Sequence, residues 1–177
     1  MRVWGKNIIL VGMMCTGKST VGRSLAEYLN MRFIDVDHAI EAKAGRTIRD
    51  LFKDGGETCF RQLETRTLEE VLQGENQVVA TGGGAVLAEA NRECMRRSGL
   101  VIALTSPAEV IIQRAKGDGD RPLLQGHLEE RVRRIMEERR DAYRFADVTI
   151  DSSSASVPDV VLMAASEWEK KHCGRGI

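Results

Sequence analysis

The segment that most constrains this chain is the glycine-bounded loop GMMCTGKST, residues 12–20. A strand-like apolar run, IILV, precedes it, and a helical pattern begins at Lys18. Gly12 and Gly17 let the backbone curl so that its N–H groups point inward at an anion. The positive end of the following helix adds to that attraction. The order of strand, glycine loop and helix therefore predicts a phosphate-binding site.

The spacing Gly12-x4-Gly17-Lys18-Ser19 matches the P-loop pattern of proteins that bind nucleoside triphosphates. In that pattern Lys18 reaches the β- and γ-phosphates as a point charge, and Ser19 offers its hydroxyl to Mg²⁺. The loop alone leaves the reaction open, because GTPases, motors and small-molecule kinases share it. We expect contacts to the nucleotide from Gly12, Met14, Cys15, Thr16, Gly17, Lys18, Ser19 and Thr20.

Strand-like and helical runs alternate along the whole chain. This alternation predicts a three-layer α/β/α fold with a central five-stranded parallel sheet. The capping pattern SPAE at 106–109, with Pro107 at the first helical position, and SVPD at 156–159 each mark the start of a helix. The predicted strands are residues 8–11, 32–37, 78–80, 100–105 and 147–150.

Length and composition narrow the class of protein. The 177 residues suit one domain, 1–177, in which the glycine-rich insert 116–127 is expected to form a mobile lid. Basic and acidic residues number 26 each, so we expect no nucleic-acid partner. Apolar runs stay below the ~18 residues of a membrane span. The four cysteines lack zinc spacing and read as reduced thiols of a cytoplasmic protein.

Acidic residues and glycines follow the second and third predicted strands. Asp35 and Asp37 are two positions apart, so strand alternation would place both on one side of the sheet. There Asp35 can hold Mg²⁺ through water, and Asp37 can accept a proton from a substrate hydroxyl. The glycines of TGGGAV, Gly82, Gly83 and Gly84, expose backbone N–H groups to close approach by a ligand.

Arginines supply the remaining candidates. Arginine binds carboxylates through two parallel hydrogen bonds and stabilises the charge of a transferring phosphoryl group. We expect these functions of Arg61, Arg114, Arg121 and Arg139. The segment 131–140 is rich in arginine, and we expect Arg133, Arg134 and Arg140 to lie in solvent.

The ordered set of motifs resembles the shikimate kinase family, from about residue 7 to 165. GMMCTGKSTVGRSLA is similar to the family's phosphate loop, and ATGGGAV to its glycine motif. The segment FIDVDHAIEAKAGRTIRDLFKDGGETCFRQLE resembles its substrate-binding segment, which we assign to about 36–63. RPLL resembles its lid, and EERRDAYRFADVTI its late helix and last strand.

The resemblance implies a P-loop kinase-like fold and ATP-dependent phosphorylation of the 3-hydroxyl of shikimate, a step of aromatic amino-acid synthesis, with Mg²⁺. From the size of the chain we expect a monomer. Lys18, Asp37 and Arg121 would be catalytic. Ser19 and Asp35 would hold the metal, and Arg114 and Arg121 would lie near the nucleotide. Arg61 and Arg139 would bind the carboxylate, Asp37 the ring hydroxyls, and the glycines at 82–84 would donate backbone hydrogen bonds.

The chain departs from the family pattern at a few positions. Cys15 stands where the family often has glycine, and Asp141-Ala142 where Pro-Leu is common. Residues 151–158 lack the arginine often found beside the adenine. The rival functions are a related small-molecule kinase such as a gluconate kinase, a nucleotide-binding regulator without turnover, and a switch GTPase. The switch GTPase has no support, because this sequence contains no NKxD-like motif with which such a protein would recognise its base.

Overall fold

The computed structural model describes residues 6–116 and 127–173. Five strands form one parallel sheet in the order β2-β3-β1-β4-β5, which confirms the predicted five-stranded parallel sheet. The strands are β1 Asn7–Val11, β2 Arg32–Asp35, β3 Gln77–Ala80, β4 Gly99–Thr105 and β5 Val148–Asp151. The helices of the described residues are α1 Lys18–Tyr28, α2 Val36–Ala44, α3 Ile48–Leu72, α4 Glu89–Ser98, α5 Ala108–Ala115, α6 Leu128–Glu138 and α7 Val157–Cys173.

Helices cover both faces of the sheet and give the predicted three layers. The central strand β1 is buried along its length, as a parallel strand covered on both faces should be. Ile8 and Leu10 belong to the apolar cluster beneath α1 and α7. Ile9 and Val11 belong to the cluster beneath α2, α3 and α4. This burial anchors the carboxyl end of β1, from which the glycine loop leaves.

A third apolar cluster lies under the glycine loop. Met13 and Met14 pack there against Ile111 of α5 and Val132 of α6. The loop is therefore held by burial of its own side chains as well as by its neighbouring strand and helix.

The boundary between β2 and α2 differs from the sequence prediction. The strand ends at Asp35, whose carboxylate accepts hydrogen bonds from the N–H groups of Asp37 and His38. Asp35 is therefore an N-cap, and α2 begins at Val36. Placing Asp37 on the strand was wrong, because it lies in the first turn of α2.

One of the two capping predictions was also wrong. Ser106 caps no helix, because α5 begins at Ala108 without a side-chain cap and the Ser106 hydroxyl lies 3.0 Å from that of Ser152. The second prediction is confirmed. The Ser156 hydroxyl accepts from the N–H of Asp159 at 3.3 Å, and the Asp159 carboxylate accepts from the Ser156 N–H at 3.2 Å.

Helix α3 is broken at Gly56, which has φ 69° and ψ 179°. Glycine adopts this conformation without the strain that a side chain would add. The break redirects the helix before Arg61.

Almost all of the predicted lid, residues 117–126 and with them Arg121, lies outside the described residues. Within the described ranges, no helix combines the length and the apolar character that a membrane crossing requires.

Candidate active site

The glycine loop adopts a backbone suited to binding an anion. Gly12 and Gly17 have φ values of 143° and 90°. A Cβ atom at Gly12 would collide with the carbonyl oxygen of Leu104, so only glycine fits there. The Thr16 hydroxyl closes the turn by donating to the carbonyl of Met13 at 2.8 Å. Helix α1 then starts at Lys18 and directs its positive end at the loop.

The Lys18 ammonium is buried within this loop, with only 8% of the residue exposed. Its Nζ donates to the carbonyl oxygens of Gly12 at 2.9 Å and Met13 at 2.7 Å. A buried ammonium held by neutral carbonyl groups is well placed to exchange them for phosphate oxygens, which carry charge.

Hydrogen bonds from other parts of the chain hold the loop in place. Arg114 donates to the carbonyl of Cys15 at 3.0 Å and to that of Ser152 at 3.3 Å. The buried Ser152 hydroxyl donates to the carbonyl of Thr16 at 2.7 Å. Arg114 was expected near the nucleotide and lies beside the loop, whereas Ser152 was missed. Its motif DSSS gave no signal beyond that of a polar turn.

Cys15 occupies a conformation that favours glycine, with φ 60°. For a residue with a Cβ atom, this left-handed conformation costs about 1–2 kcal/mol. We therefore expect Cys15→Gly to raise the melting temperature by about 2–4 °C, after allowing for the greater freedom of glycine in the unfolded chain. Thermal unfolding measures the effect.

Asn76→Gly is the matched control, because Asn76 has φ 59° but asparagine tolerates this conformation. We expect its melting temperature to change by less than about 1 °C. A lower melting temperature for Cys15→Gly would show that the thiol stabilises the loop more than the backbone strain destabilises it.

Ser19 and Asp35 form an oxygen pair beside the loop. The Ser19 hydroxyl donates to Asp35 Oδ2 at 2.6 Å, while Asp35 Oδ1 caps α2. Oxygen ligands suit Mg²⁺, which usually takes one or two protein ligands together with phosphates and water. Among residues 6–116 and 127–173, no three His, Cys, Asp or Glu side chains gather as a metal-binding group. The pair therefore fits a metal that arrives with its nucleotide.

A cavity of about 460 Å³ opens over the loop. It is lined by residues 14–21 and by Asp35 and Asp37, so the structure brings the two acidic residues together although they lie on different elements. Gly82 and Gly83 line it as well. Ala155, Val157 and Val160 add apolar surface to the lining.

Gly82 separates Asp37 from a second carboxylate, that of Glu64. A Cβ atom at Gly82 would lie 2.8 Å from Asp37 Oδ1 and 2.9 Å from Glu64 Oε1, so a side chain there would displace one of the two carboxylates. Glu64 is only 1% exposed, and its Oε1 has no hydrogen-bond partner among the described residues. Burial raises the pKa of Glu64, and the adjacent Arg61 guanidinium opposes that rise.

Arg61 is held by two glutamates of its own helix. It donates to Glu64 Oε2 at 2.7 Å and to Glu57 Oε1 at 3.2 and 3.3 Å. Its guanidinium lies against Gly84, where a Cβ atom would collide with it. Sequence reasoning missed Glu64, although its position three residues after Arg61 on a helix was an available signal.

Arg139 is buried at the end of α6, with 6% of the residue exposed. Its Nη1 lies 3.5 Å from the Cβ position of Gly83. The same position is 3.3 Å from the Met14 nitrogen and 3.4 Å from the Gly12 oxygen. Gly83 thus lies between Arg139 and the phosphate loop.

The three glycines bring the predicted acceptor groups together. Asp37 lies at Gly82, Arg139 at Gly83 and Arg61 at Gly84. The three arginines predicted to lie in solvent are exposed and form surface ion pairs, Arg133 with Glu109, Arg134 with Glu138 and Arg140 with Glu137. Such exposed pairs contribute little to stability.

Comparisons with known proteins give the family. The shikimate kinase family model matches residues 14–168. A shikimate kinase of Geobacter sulfurreducens is 46% identical over 163 residues, which are 92% of this chain and 90% of the relative. The structure of a shikimate kinase from Acinetobacter baumannii in complex with shikimate is 39% identical, with a TM-score of 0.88 over 97% of this chain and 95% of that one.

The rival small-molecule kinase has a structural counterpart as well. A gluconokinase from Sinorhizobium meliloti superposes with a TM-score of 0.61 over 99% of this chain and 100% of that one, at 17% identity. That likeness shows a shared fold only. The family model and the relatives of higher identity decide the assignment, and the chain belongs to the shikimate kinase family.

Proposed function

We infer that this chain transfers the γ-phosphoryl group of ATP to the 3-hydroxyl of shikimate. The observation that carries the proposal is the convergence of Asp37, Arg61 and Arg139 on three successive glycines beside the phosphate loop. Shikimate carries one carboxylate and three hydroxyls. Two guanidinium groups, one carboxylate and glycine N–H groups complement those groups. The solved relative bound to shikimate supports the same substrate.

The nucleotide half of the proposal rests on the loop. Backbone N–H groups of residues 12–20 and the Lys18 ammonium would hold the triphosphate. Ser19 and Asp35, 2.6 Å apart, would hold the Mg²⁺ that accompanies ATP. That ion supplies positive charge beside the transferring group. The apolar lining residues Ala155 and Val157 would contact the adenine in place of the arginine absent from 151–158.

The acceptor half rests on Asp37 and the two arginines. Arg61 and Arg139 would orient the substrate by its carboxylate, and Gly83 would donate a backbone hydrogen bond. Asp37 would accept the proton of the attacking hydroxyl while the oxygen of that hydroxyl bonds to the γ-phosphorus. The bond from that phosphorus to the bridging oxygen of ADP would break at the same stage. The protein would contribute positioning and charge neutralisation.

We also propose that Arg121 closes over the transferred phosphoryl group. This role rests only on the resemblance to the family. We further propose that the chain functions as one domain and a monomer in the cytoplasm. The reduced thiols of Cys15, Cys59 and Cys94 support the location. Size-exclusion chromatography with light scattering tests the oligomeric state, and a dimer mass would contradict it.

Coupled measurement of ADP release tests the function. We expect release to depend on shikimate, with gluconate and other sugar acids giving less than about a hundredth of its kcat/KM. Release with gluconate but not shikimate would favour the related kinase. ATP binding without ADP release for any acceptor would favour the regulator.

Arg61→Lys tests the carboxylate contact. Lysine keeps the charge but cannot form two parallel hydrogen bonds, so we expect the KM for shikimate to rise about 10–100-fold. The KM for ATP should change less than about twofold, because Arg61 lies on the Gly84 side of the site. Steady-state kinetics with each substrate varied in turn measures both values.

Arg133→Lys is the control, since Arg133 is exposed and pairs with Glu109 on the surface. It should leave both KM values unchanged. An unchanged KM for shikimate in Arg61→Lys would remove Arg61 from the proposed substrate contact.

A further inference from the structure

The hydroxyl of Tyr143 lies between two groups of the proposed carboxylate site. It donates to the carbonyl oxygen of Gly83 at 2.7 Å. The Arg139 guanidinium lies near the phenol, and its positive charge acts to lower the pKa of the hydroxyl. The ring is partly buried and packs against the apolar clusters under α3 and α6. Packing therefore fixes the ring, and the hydroxyl donates its proton to Gly83 beside the Arg139 charge.

Gly83 is the point where the two halves of the site touch. Its Cβ position lies 3.3 Å from the backbone nitrogen of Met14 and 3.5 Å from Arg139 Nη1. A rotation of this peptide would change the direction of the backbone groups offered to the acceptor and its distance from the phosphate loop. The bond from Tyr143 opposes such a rotation because it holds the Gly83 carbonyl.

The chemical state of the phenol suits this task. Burial raises the pKa of Tyr143, and the nearby Arg139 guanidinium opposes that rise without reversing it. The phenol therefore keeps its proton at neutral pH and remains a donor to Gly83.

We propose that Tyr143 is a positioning residue that aligns Arg139 and the Gly83 peptide for the carboxylate of the acceptor and holds both at a fixed distance from the phosphate loop. This inference rests on the proposed function, because it presupposes that Arg139 and Gly83 bind the substrate. It assigns Tyr143 no contact with the reacting atoms.

Tyr143→Phe removes the hydroxyl and keeps the ring. We expect the KM for shikimate to rise about 10-fold, since the Gly83 carbonyl loses its hydrogen bond and the Arg139 guanidinium loses the phenol oxygen beside it. The KM for ATP should stay within about twofold of the unmodified value. Tyr28→Phe is the matched control, because Tyr28 is the other tyrosine of the chain and is 57% exposed. It should change neither KM.

A double-mutant cycle with Arg139→Lys separates positioning from general stabilisation. If Tyr143 acts through Arg139, adding Tyr143→Phe to Arg139→Lys should raise the KM for shikimate by less than about threefold further. Fully additive losses, or equal rises in the KM values for shikimate and ATP, would overturn the inference.

The cycle also separates this inference from the function on which it rests. Arg139→Lys with a raised KM for shikimate, beside Tyr143→Phe with an unchanged one, would overturn the role of Tyr143 alone. An unchanged KM in Arg139→Lys would overturn the proposed clamp and the role of Tyr143 with it. If Tyr143→Phe is too unstable to assay, the rise in melting temperature on adding shikimate replaces the KM. A rise equal to that of the unmodified chain would overturn the inference.

Discussion

Replacing Asp37 with asparagine is expected to lower kcat about 10²–10⁴-fold, while the KM for ATP changes less than about twofold. Asparagine keeps the shape and the hydrogen-bonding oxygen of the side chain but cannot take a proton from the acceptor hydroxyl. Asp37 lines the cavity next to Gly82. Steady-state turnover and equilibrium ATP binding together measure the split.

Asp141→Asn is the matched control for this change, because Asp141 is exposed and pairs with Arg144 on the surface. Its turnover should equal that of the unmodified chain. Retention of more than about a tenth of the turnover in Asp37→Asn would reject Asp37 as the base. The neighbouring carboxylate of Glu64 would then be the next group to test, with Glu64→Gln.

Lys18→Met should lower kcat about 10²–10³-fold and also weaken ATP binding. Methionine fills the space of the lysine stem without its charge, and Lys18 is buried, so the fold should tolerate the change. The loss should be larger for ATP than for AMP, since the ammonium acts on the outer phosphates. Calorimetric titration with both nucleotides, together with turnover, measures the effect.

Lys43→Met is the control, because Lys43 is exposed and pairs with Glu70. It should change neither kcat nor the binding of ATP and AMP. Equal weakening of ATP and AMP binding in Lys18→Met would mean that the loop itself had collapsed. In that case the direct role of the ammonium would not be supported.

The first strand, the glycine loop and the following helix could be predicted because their signals are local. A buried apolar run, two glycines at a fixed interval and a helical pattern lie within about 20 residues. The five-stranded parallel sheet followed from the same alternation. The strand order β2-β3-β1-β4-β5 is known only from the structure, because many orders are compatible with parallel strands. Ser156 and Asp159 were predicted correctly as a cap for the same reason, since both partners lie within one turn.

Two of the residues that were missed, Ser152 and Tyr143, act across long stretches of sequence. Ser152 braces Thr16 over 136 positions, and Tyr143 holds Gly83 over 60. No periodicity or spacing marks such a pair, because each residue has an ordinary local environment. Asp37 was placed on the wrong element for a different reason. The preference of Asp35 for an N-cap outweighed the alternation that favoured a longer strand.

The turn of three glycines also limits how this site can be altered. Each glycine faces a different neighbour: the Asp37 and Glu64 carboxylates at Gly82, the phosphate loop at Gly83 and the Arg61 guanidinium at Gly84. A side chain added at Gly82 or Gly84 would therefore displace the charged groups of the proposed acceptor site, and one added at Gly83 would press on the backbone of the phosphate loop. A new acceptor preference would come more readily from replacing the surrounding charged side chains while the three glycines of the turn are retained.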